Sequence, residues 1–482
     1  MKQAVFLSTG LLLASPALQT IKAKEYKKPN IVFILADDLG YGDLSCYGQE
    51  KFETPHIDEL ARNGMRFTQC YSGTTVSAPS RSCLLTGTHS GHTYVRGNME
   101  LQPEGQFPLP AEARTIFEVL KEAGYKTSAF GKWGLGYIGT TGDPIQQGCD
   151  VFYGYNCQLL AHSYYPSHLW DNDKRIELKD NTPDTEYGKG TYSQDLIQNK
   201  ALEYLDRMNE DEPFFMWYPT VLPHAELIVP EDSIIRKFRG QFPETAHKGT
   251  EPGHPAFQKG GYCSQFHPRA TFAAMIYRLD VYVGQIIQKL KEKGLYDNTI
   301  IIFSSDNGPH REGGADPDFF NSNGIYRGYK RDLYEGGIRI PMIISWPGRI
   351  QAGTETNFMC SFYDIMPTFE ELVHPKTKQK TMDGISILPL LTNRKGQQEH
   401  EFLYFGFLEM NGRQAVRKGS WKLIHLNIRG DKPYYELYNL ASDPSEKHNV
   451  LEFYPEKAAE LKAIMQREHQ PDPNWPLFPE EF

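Results

Sequence analysis

Ser77, Pro79, Ser80, Arg81, Leu85, Thr86 and Gly87 stand at fixed spacing in the run S-x-P-S-R-x-x-x-L-T-G. Proline suits the first turn of a helix, where its missing N–H has no intrahelical partner to lose. Ser77 then lies at a helix N-terminus, where free N–H groups and the helix dipole favour negative charge. Arg81, one turn on, adds a planar cationic fork suited to oxyanions. The pattern places a hydroxyl beside an anion-binding site. Two further clusters are acidic, Asp37-Asp38 and Asp306-Asn307-Gly308. Converging at one place, they supply four oxygen-bearing side chains, and their mutual repulsion raises the carboxyl pKa values unless a cation sits among them. All-oxygen ligation suits Ca2+ or Mg2+, and Ca2+ tolerates irregular geometry better.

The segments around these residues have the pattern needed to bring them together. Asn30–Ala36 and Thr299–Ser305 are apolar runs that end at the two acidic clusters. Such runs suit strands buried on both faces. Lys126–Phe130 and Phe214–Tyr218 read as further strands. Helical patterns cover Thr54–Asn63, Ala113–Ala123, Tyr192–Met208 and Ala270–Lys293. Helices alternating with apolar strands indicate a doubly wound α/β domain, whose ligands lie at the carboxyl ends of the strands. The character changes after residue 375. Short alternating segments from Glu401 to Tyr438, then a helical pattern from Pro455 to Arg467, predict a small antiparallel sheet packed beside a helix. The expected division is 28–375 and 376–482.

The S-x-P-S-R motif resembles the signature of type I sulfatases, the formylglycine enzymes of the alkaline-phosphatase superfamily. The resemblance runs from Asn30 to about Asn449. It implies an alkaline-phosphatase-like doubly wound mixed sheet with a smaller C-terminal α+β subdomain. It also implies that a maturase oxidises Ser77 to formylglycine (3-oxoalanine), the nucleophile. Asp37, Asp38, Asp306 and Asn307 would bind one Ca2+ ion beside that residue. Gly124-Tyr125-Lys126-Thr127 and Gly131-Lys132-Trp133-Gly134-Leu135-Gly136 resemble the second family signature, with Lys132 matching a lysine that contacts the sulfate and the nucleophile. The family usually has histidine where this chain has Gly134, so His162, set among aromatics in Leu160–Pro166, is a candidate for the missing imidazole or for a structural or substrate-binding role. His89 and His92 are weaker candidates. Thr220-Val221-Leu222-Pro223-His224 resembles the T-x-x-P-H element, which makes His224 the group that protonates the leaving sugar oxygen. Lys330, before Glu335-Gly336-Gly337, matches a second sulfate-binding lysine.

Composition agrees with a folded, exported protein. Among 482 residues, 39% are hydrophobic and the net charge is −9, which argues against general nucleic-acid binding. Lys2, the apolar run Ala4–Ala14 and Ser15-Pro16-Ala17 resemble a signal peptide, too short for a permanent membrane span. Seven scattered cysteines, without a C-x-x-C pair, give no zinc pattern. Cys83, inside the signature, reads as a buried helix residue. The expected substrate is a sulfated carbohydrate, with galactose or N-acetylgalactosamine sulfate favoured. Tyr164, Tyr165, His168, Trp170 and Arg327 are candidate contacts, and the expected location is periplasmic or secreted. A phosphodiesterase or phosphonate hydrolase of the same superfamily, and a non-catalytic binder of sulfated glycans, are the alternatives.

Overall fold

The structure, a computed structural model, describes residues 27–102, 104–182, 189–250, 262–373 and 382–482. The signal-peptide reading and the expected boundary at 375/376 lie outside these residues. The sequence-derived elements form with small shifts at their ends. Asn30–Ala36 and Thr299–Ser305 are strands, and Pro55–Arg62, Ile116–Glu122, Ser193–Arg207 and Pro268–Glu292 are helices. The helix at Ile116 starts at a reciprocal cap, in which Thr115 accepts from the Glu118 N–H and Glu118 accepts from the Thr115 N–H.

An eleven-stranded sheet organises the chain. Its order is Thr354–Thr356, Met65–Tyr71, Arg339–Ser345, Thr299–Ser305, Asn30–Ala36, Phe214–Pro219, Lys126–Lys132, Val151–Tyr155, His168–Asp171 and Lys174–Glu177, with Cys360–Ser361 also pairing Met65–Tyr71. The central four strands, from Thr299–Ser305 to Lys126–Lys132, are parallel. Alternate side chains of Asn30–Ala36 enter two cores. Val32, Ile34 and Ala36 pack under the helices at Pro55, Ser193 and Pro268, whereas Ile31, Phe33 and Leu35 pack under those at Ser77, Ile116 and Ile365. Burial on both faces explains the unbroken apolar run. All parallel strand ends that carry candidate groups, at Ala36, Lys132, Pro219 and Ser305, therefore emerge on one edge.

Two central strands escaped the sequence reading. Arg339–Ser345 pairs antiparallel with both Thr299–Ser305 and Met65–Tyr71. Pro341 interrupts its pattern, because proline cannot donate to a ladder. The fold absorbs it at a register shift between Ile340 and Met342.

The predicted small sheet is present, in the order Leu403–Phe407, Arg413–Lys418, Trp421–Leu426 and Tyr434–Asn439, all antiparallel. Val416, Leu423 and Leu437 on one face cover Leu461, Ile464 and Met465 of the helix Pro455–Glu468. Ala415, Ile424 and Phe405 on the other face pack with Tyr71, Val76 and Ile338 of the large sheet region. A charged cluster joins the two. The buried Lys422 ammonium lies 3.0 Å from Glu335 Oε1 and 2.9 Å from Glu446 Oε1, and the Glu335 N–H donates to Glu446 Oε2.

Glu335 has a second cation, Arg339, at 3.2 Å, whereas among the described residues Glu446 is paired with Lys422 alone. Burial, then the Glu335 charge, pushes Glu446 from its ordinary 4.5 up to about 7. The sign follows from proton linkage. As pH rises through this window, the unfolded chain loses the Glu446 proton before the folded one does, so stability falls between about pH 4.5 and pH 7. Glu446→Gln should flatten that loss, as seen in urea-unfolding midpoints at about pH 5 and about pH 8.

Candidate active site

Ser77 is the first residue of the helix Ser77–Thr86, whose ten residues are all buried. Pro79 lies in its first turn, and the Asn98 side-chain oxygen accepts from the Ala78 N–H. Gly87 ends the helix at φ 71°, in the left-handed region that favours glycine. Cys83 is buried within it, and burial pushes its thiol pKa up.

The helix N-terminus meets the strand ends in a buried charge lattice. The Ser77 hydroxyl donates to Asp37 Oδ1 at 2.9 Å. Lys132 Nζ donates to Asp37 Oδ2 at 2.6 Å and lies 3.3 Å from Ser77 Oγ. Arg81 donates through Nε and Nη2 to Asp306 Oδ2 at 3.1 and 2.9 Å, and through Nη1 to the Lys132 carbonyl. Asp306 Oδ1 accepts from the Asp38 N–H at 3.1 Å, and Ser80 donates to the Asp306 carbonyl at 2.6 Å. Asp38, in the left-handed region at φ 61°, takes Asn307 Nδ2 at 2.7 Å on one oxygen and Lys330 Nζ at 2.9 Å on the other.

His224 extends the lattice. Its Nδ1–H donates to the Ala225 carbonyl, which leaves the Nε2 lone pair to accept from Lys330 Nζ at 3.1 Å. Burial, reinforced by the Lys330 charge, lowers its pKa to about 3. Tyr164 holds the turn from beneath, donating to the Val221 and His224 carbonyls at 3.0 and 2.8 Å. The imidazoles of His162 and His310 both stack with that of His224, at centroid distances of 5.1 and 5.7 Å.

The structure thus brings together Ser77, Arg81, Lys132, His162, His224, Lys330, Asp37, Asp38, Asp306 and Asn307. The candidate sugar contacts are engaged within the chain. The Tyr164 hydroxyl is committed to the backbone contacts above, and Tyr165 packs against Tyr192. His168 and Trp170, on an outer strand, both bond Glu104. Arg327 bonds the Tyr438 hydroxyl and the Glu446 carbonyl, facing the small sheet. The polar groups of Tyr164, His168, Trp170 and Arg327 are thus taken up by the chain itself. His89 and His92 stack on each other beside Asp383 and Glu468, at the contact with the C-terminal helix. At Gly134, φ is +75° and an added Cβ would stand 2.4 Å from Gln158 Nε2, so Gln158 fills the space a side chain there would need. Glu312 went unread in the sequence. Its Oε2 accepts from Lys330 Nζ at 3.0 Å and from the Tyr262 hydroxyl at 3.1 Å. Its position just beyond the strand end at Asp306-Asn307 was the available signal.

A hard cation suits the donors here. Asp37, Asp38 and Asp306 offer carboxylate oxygens, and Asn307 Oδ1 is buried without a hydrogen-bond partner. Burial, then the Asp37 charge, pushes Asp306 up to about 7. Burial also acts to raise Asp37, but Lys132, His224 and Arg81 outweigh it and hold that carboxyl below its ordinary range. An all-oxygen set that includes a free amide oxygen fits Ca2+ or Mg2+.

Comparison with known proteins agrees with this geometry. Residues 29–374 match the Sulfatase family, and residues 324–470 match the family described as N-sulphoglucosamine sulphohydrolase, C-terminal. The chain therefore belongs to the sulfatase family, the type I sulfatases of the alkaline-phosphatase superfamily, and is a sulfuric ester hydrolase. It is 31% identical to an N-acetylgalactosamine-6-O-sulfatase of Bacteroides thetaiotaomicron, covering 95% of this chain and 97% of that one. It is also 31% identical to human arylsulfatase A, over 92% and 85% of the two chains. A solved structure of Ps i-CgsB in complex with k-i-k-neocarrahexaose has a TM-score of 0.75 at 27% identity, covering 94% of this chain and 96% of that one.

Calcium added to chelator-treated protein should raise its melting temperature, with a stabilisation of about 2.7 kcal/mol at a hundredfold excess over Kd. Asn307→Ala should lose most of that response in calorimetry. A parent protein indifferent to Ca2+ and Mg2+ would exclude the cation site.

Proposed function

We propose that this sulfatase is exported and hydrolyses sulfate esters of a sulfated carbohydrate, with galactose or N-acetylgalactosamine 6-O- or 4-O-sulfate favoured. The observation that carries the reading is Ser77 Oγ, held between Asp37 Oδ1 and Lys132 Nζ at the N-terminus of a buried helix. The similarity to an N-acetylgalactosamine-6-O-sulfatase over nearly the whole chain supports the sugar class. Among the described residues, no helix is long and apolar enough to cross a membrane.

Oxidised by a maturase to formylglycine and hydrated by water to a geminal diol, Ser77 would supply one diol hydroxyl to attack sulfur, the other remaining to expel sulfate and restore the aldehyde. A bound cation, held by Asp37, Asp38, Asp306 and Asn307, would supply charge that acidifies that hydroxyl. The remaining work falls to the chain's own groups. Asp37 orients the Ser77 oxygen through its 2.9 Å hydrogen bond. Lys132 and Lys330, each resting on a carboxylate, are the ammonium groups positioned to hold sulfuryl oxygens. The Arg81 fork fixes Asp306 and the Lys132 backbone, so its role is to keep the lattice in place. The proton for the leaving sugar oxygen resides on the Lys330–His224 pair, because the ammonium already donates to His224 Nε2. A sugar alkoxide is a poor leaving group, so a proton held there lowers the barrier. His162, stacked on His224, is the imidazole that accepts a proton as sulfate is freed.

Mass spectrometry of the Ser77 peptide from the native host should show the loss of two hydrogens and an aldehyde that reacts with a hydrazine probe. An intact serine would overturn the mechanism. His162→Ala should lower kcat by about 10²–10⁴-fold on a sulfated sugar. Undiminished turnover would remove His162 from the chemistry.

A further inference from the structure

A chain of alternating charges leads from the buried lysine of the site to solvent. Lys330, with a side chain only 5% exposed, contacts Glu312, which is 19% exposed. Glu312 Oε1 in turn meets Arg331 Nη1, and Arg331, 37% exposed, donates through Nε to Glu409 Oε2 at 3.2 Å. Glu409 is 42% exposed and belongs to the turn between the strands Leu403–Phe407 and Arg413–Lys418 of the small sheet. Exposure rises at each step, from the buried Lys330 to the part-exposed Glu409.

The backbone under this chain is held in an unusual state. Arg331 has φ 76°, a left-handed conformation that a bulky residue adopts only when its surroundings impose it. Its N–H donates to the Thr75 carbonyl at 3.2 Å, and its own carbonyl accepts from Arg413 Nη1 at 3.0 Å. Glycine would sit at this φ without strain, so the arginine here is held by its side-chain pairs with Glu312 and Glu409. The Glu409 turn is braced as well. The Gly412 N–H closes onto the Glu409 carbonyl at 3.0 Å, and the Arg429 N–H ties the Asn411 carbonyl at 2.7 Å.

We propose that Glu312, Arg331 and Glu409 form the surface that recognises the sugar ring around the scissile ester, accepting neutral hydroxyls and excluding a second sulfate. The inference rests on the glycan-sulfatase reading and extends it to the neighbouring positions of the ring. Carboxylates accept from hydroxyl groups and a guanidinium donates to them, and such charge-assisted hydrogen bonds exceed neutral ones in strength. Arg331 is already matched by two carboxylates, so it offers donors without a free positive charge. Lys330 is already matched by Asp38, so Glu312 and Glu409 outnumber Arg331, and this excess of negative charge repels a second sulfate beside the first. The small sheet thereby contributes directly to recognition through Glu409.

The test measures binding, which separates it from the question of turnover. Ser77→Ala protein is titrated calorimetrically with galactose 6-sulfate, N-acetylgalactosamine 6-sulfate, the 4,6-disulfated sugar and inorganic sulfate. Glu409→Gln, and separately Glu312→Gln, should weaken the better monosulfated sugar at least tenfold, with a much smaller change for inorganic sulfate. The disulfated sugar should bind the parent at least tenfold more weakly than the monosulfated one, and the glutamine variants should narrow that gap. Equal losses for sugar and inorganic sulfate, an unchanged sugar affinity in Glu409→Gln, or equal binding of mono- and disulfated sugars would overturn the proposal. An intact Ser77 in the native protein would instead overturn the mechanism while leaving this binding result standing.

Discussion

The structure depends on one buried ionic lattice. Arg81 and Asp306 are both fully buried, as are Asp37 and, nearly so, Lys132. An unpaired charge at such depth costs several kcal/mol, so every member requires its partners in place. The members come from four separate parts of the chain: the Ser77 helix and the strand ends at Ala36, Lys132 and Ser305. A one-residue slip of any central strand would turn its final charge toward the opposite face. The parallel register of the sheet and the chemistry of the site are thus one constraint. The Arg81 fork is spent on Asp306 and the Lys132 carbonyl, which makes it the keystone of the lattice, while Lys132 and Lys330 rest on Asp37 and Asp38.

Around this lattice the two sheets divide the work. The large sheet supplies the strand ends and, through Pro219, the turn that carries His224. The small sheet packs its Ala415–Ile424 face against Val76, the residue before Ser77. It therefore helps hold the helix N-terminus as well as pairing Glu409 with Arg331. The buried Lys422 between Glu335 and Glu446 fixes how the two parts meet. That junction lies close in sequence to Lys330, so the docking of the small sheet and the placement of a site lysine are mechanically connected through the segment 330–335.

Much of this was legible in the sequence where local rules suffice. Asn30–Ala36 and Thr299–Ser305 were visible as strands because burial on both faces demands unbroken apolar runs. The Ser77 helix was visible through Pro79, and the small sheet through its alternation. Arg339–Ser345 was not visible, because Pro341 reads as a strand breaker until the register shift that accommodates it is seen. Tyr164, Tyr165, His168, Trp170 and Arg327 were drawn to the site by residue type alone. Their polar atoms or rings meet internal partners that lie far away in sequence, such as Val221 for Tyr164 and Glu446 for Arg327. Residue type does not say which partner a side chain will find.

The sequence by itself determined the chemical groups, their approximate order at strand ends, and the family to which they belong, because these follow from motif spacing and hydrophobic periodicity. Only the tertiary structure decided which cation neutralises which carboxylate: Lys132 for Asp37, Lys330 for Asp38 and Arg81 for Asp306. It also brought His162 onto His224, gave the space beside Gly134 to Gln158, and set Glu312 between Lys330 and Arg331. The physical reason is range. Periodicity and capping act over a few residues, whereas pairing of buried charges is settled by which groups the packed sheet brings within about 3–4 Å, where the low dielectric makes each pairing strong.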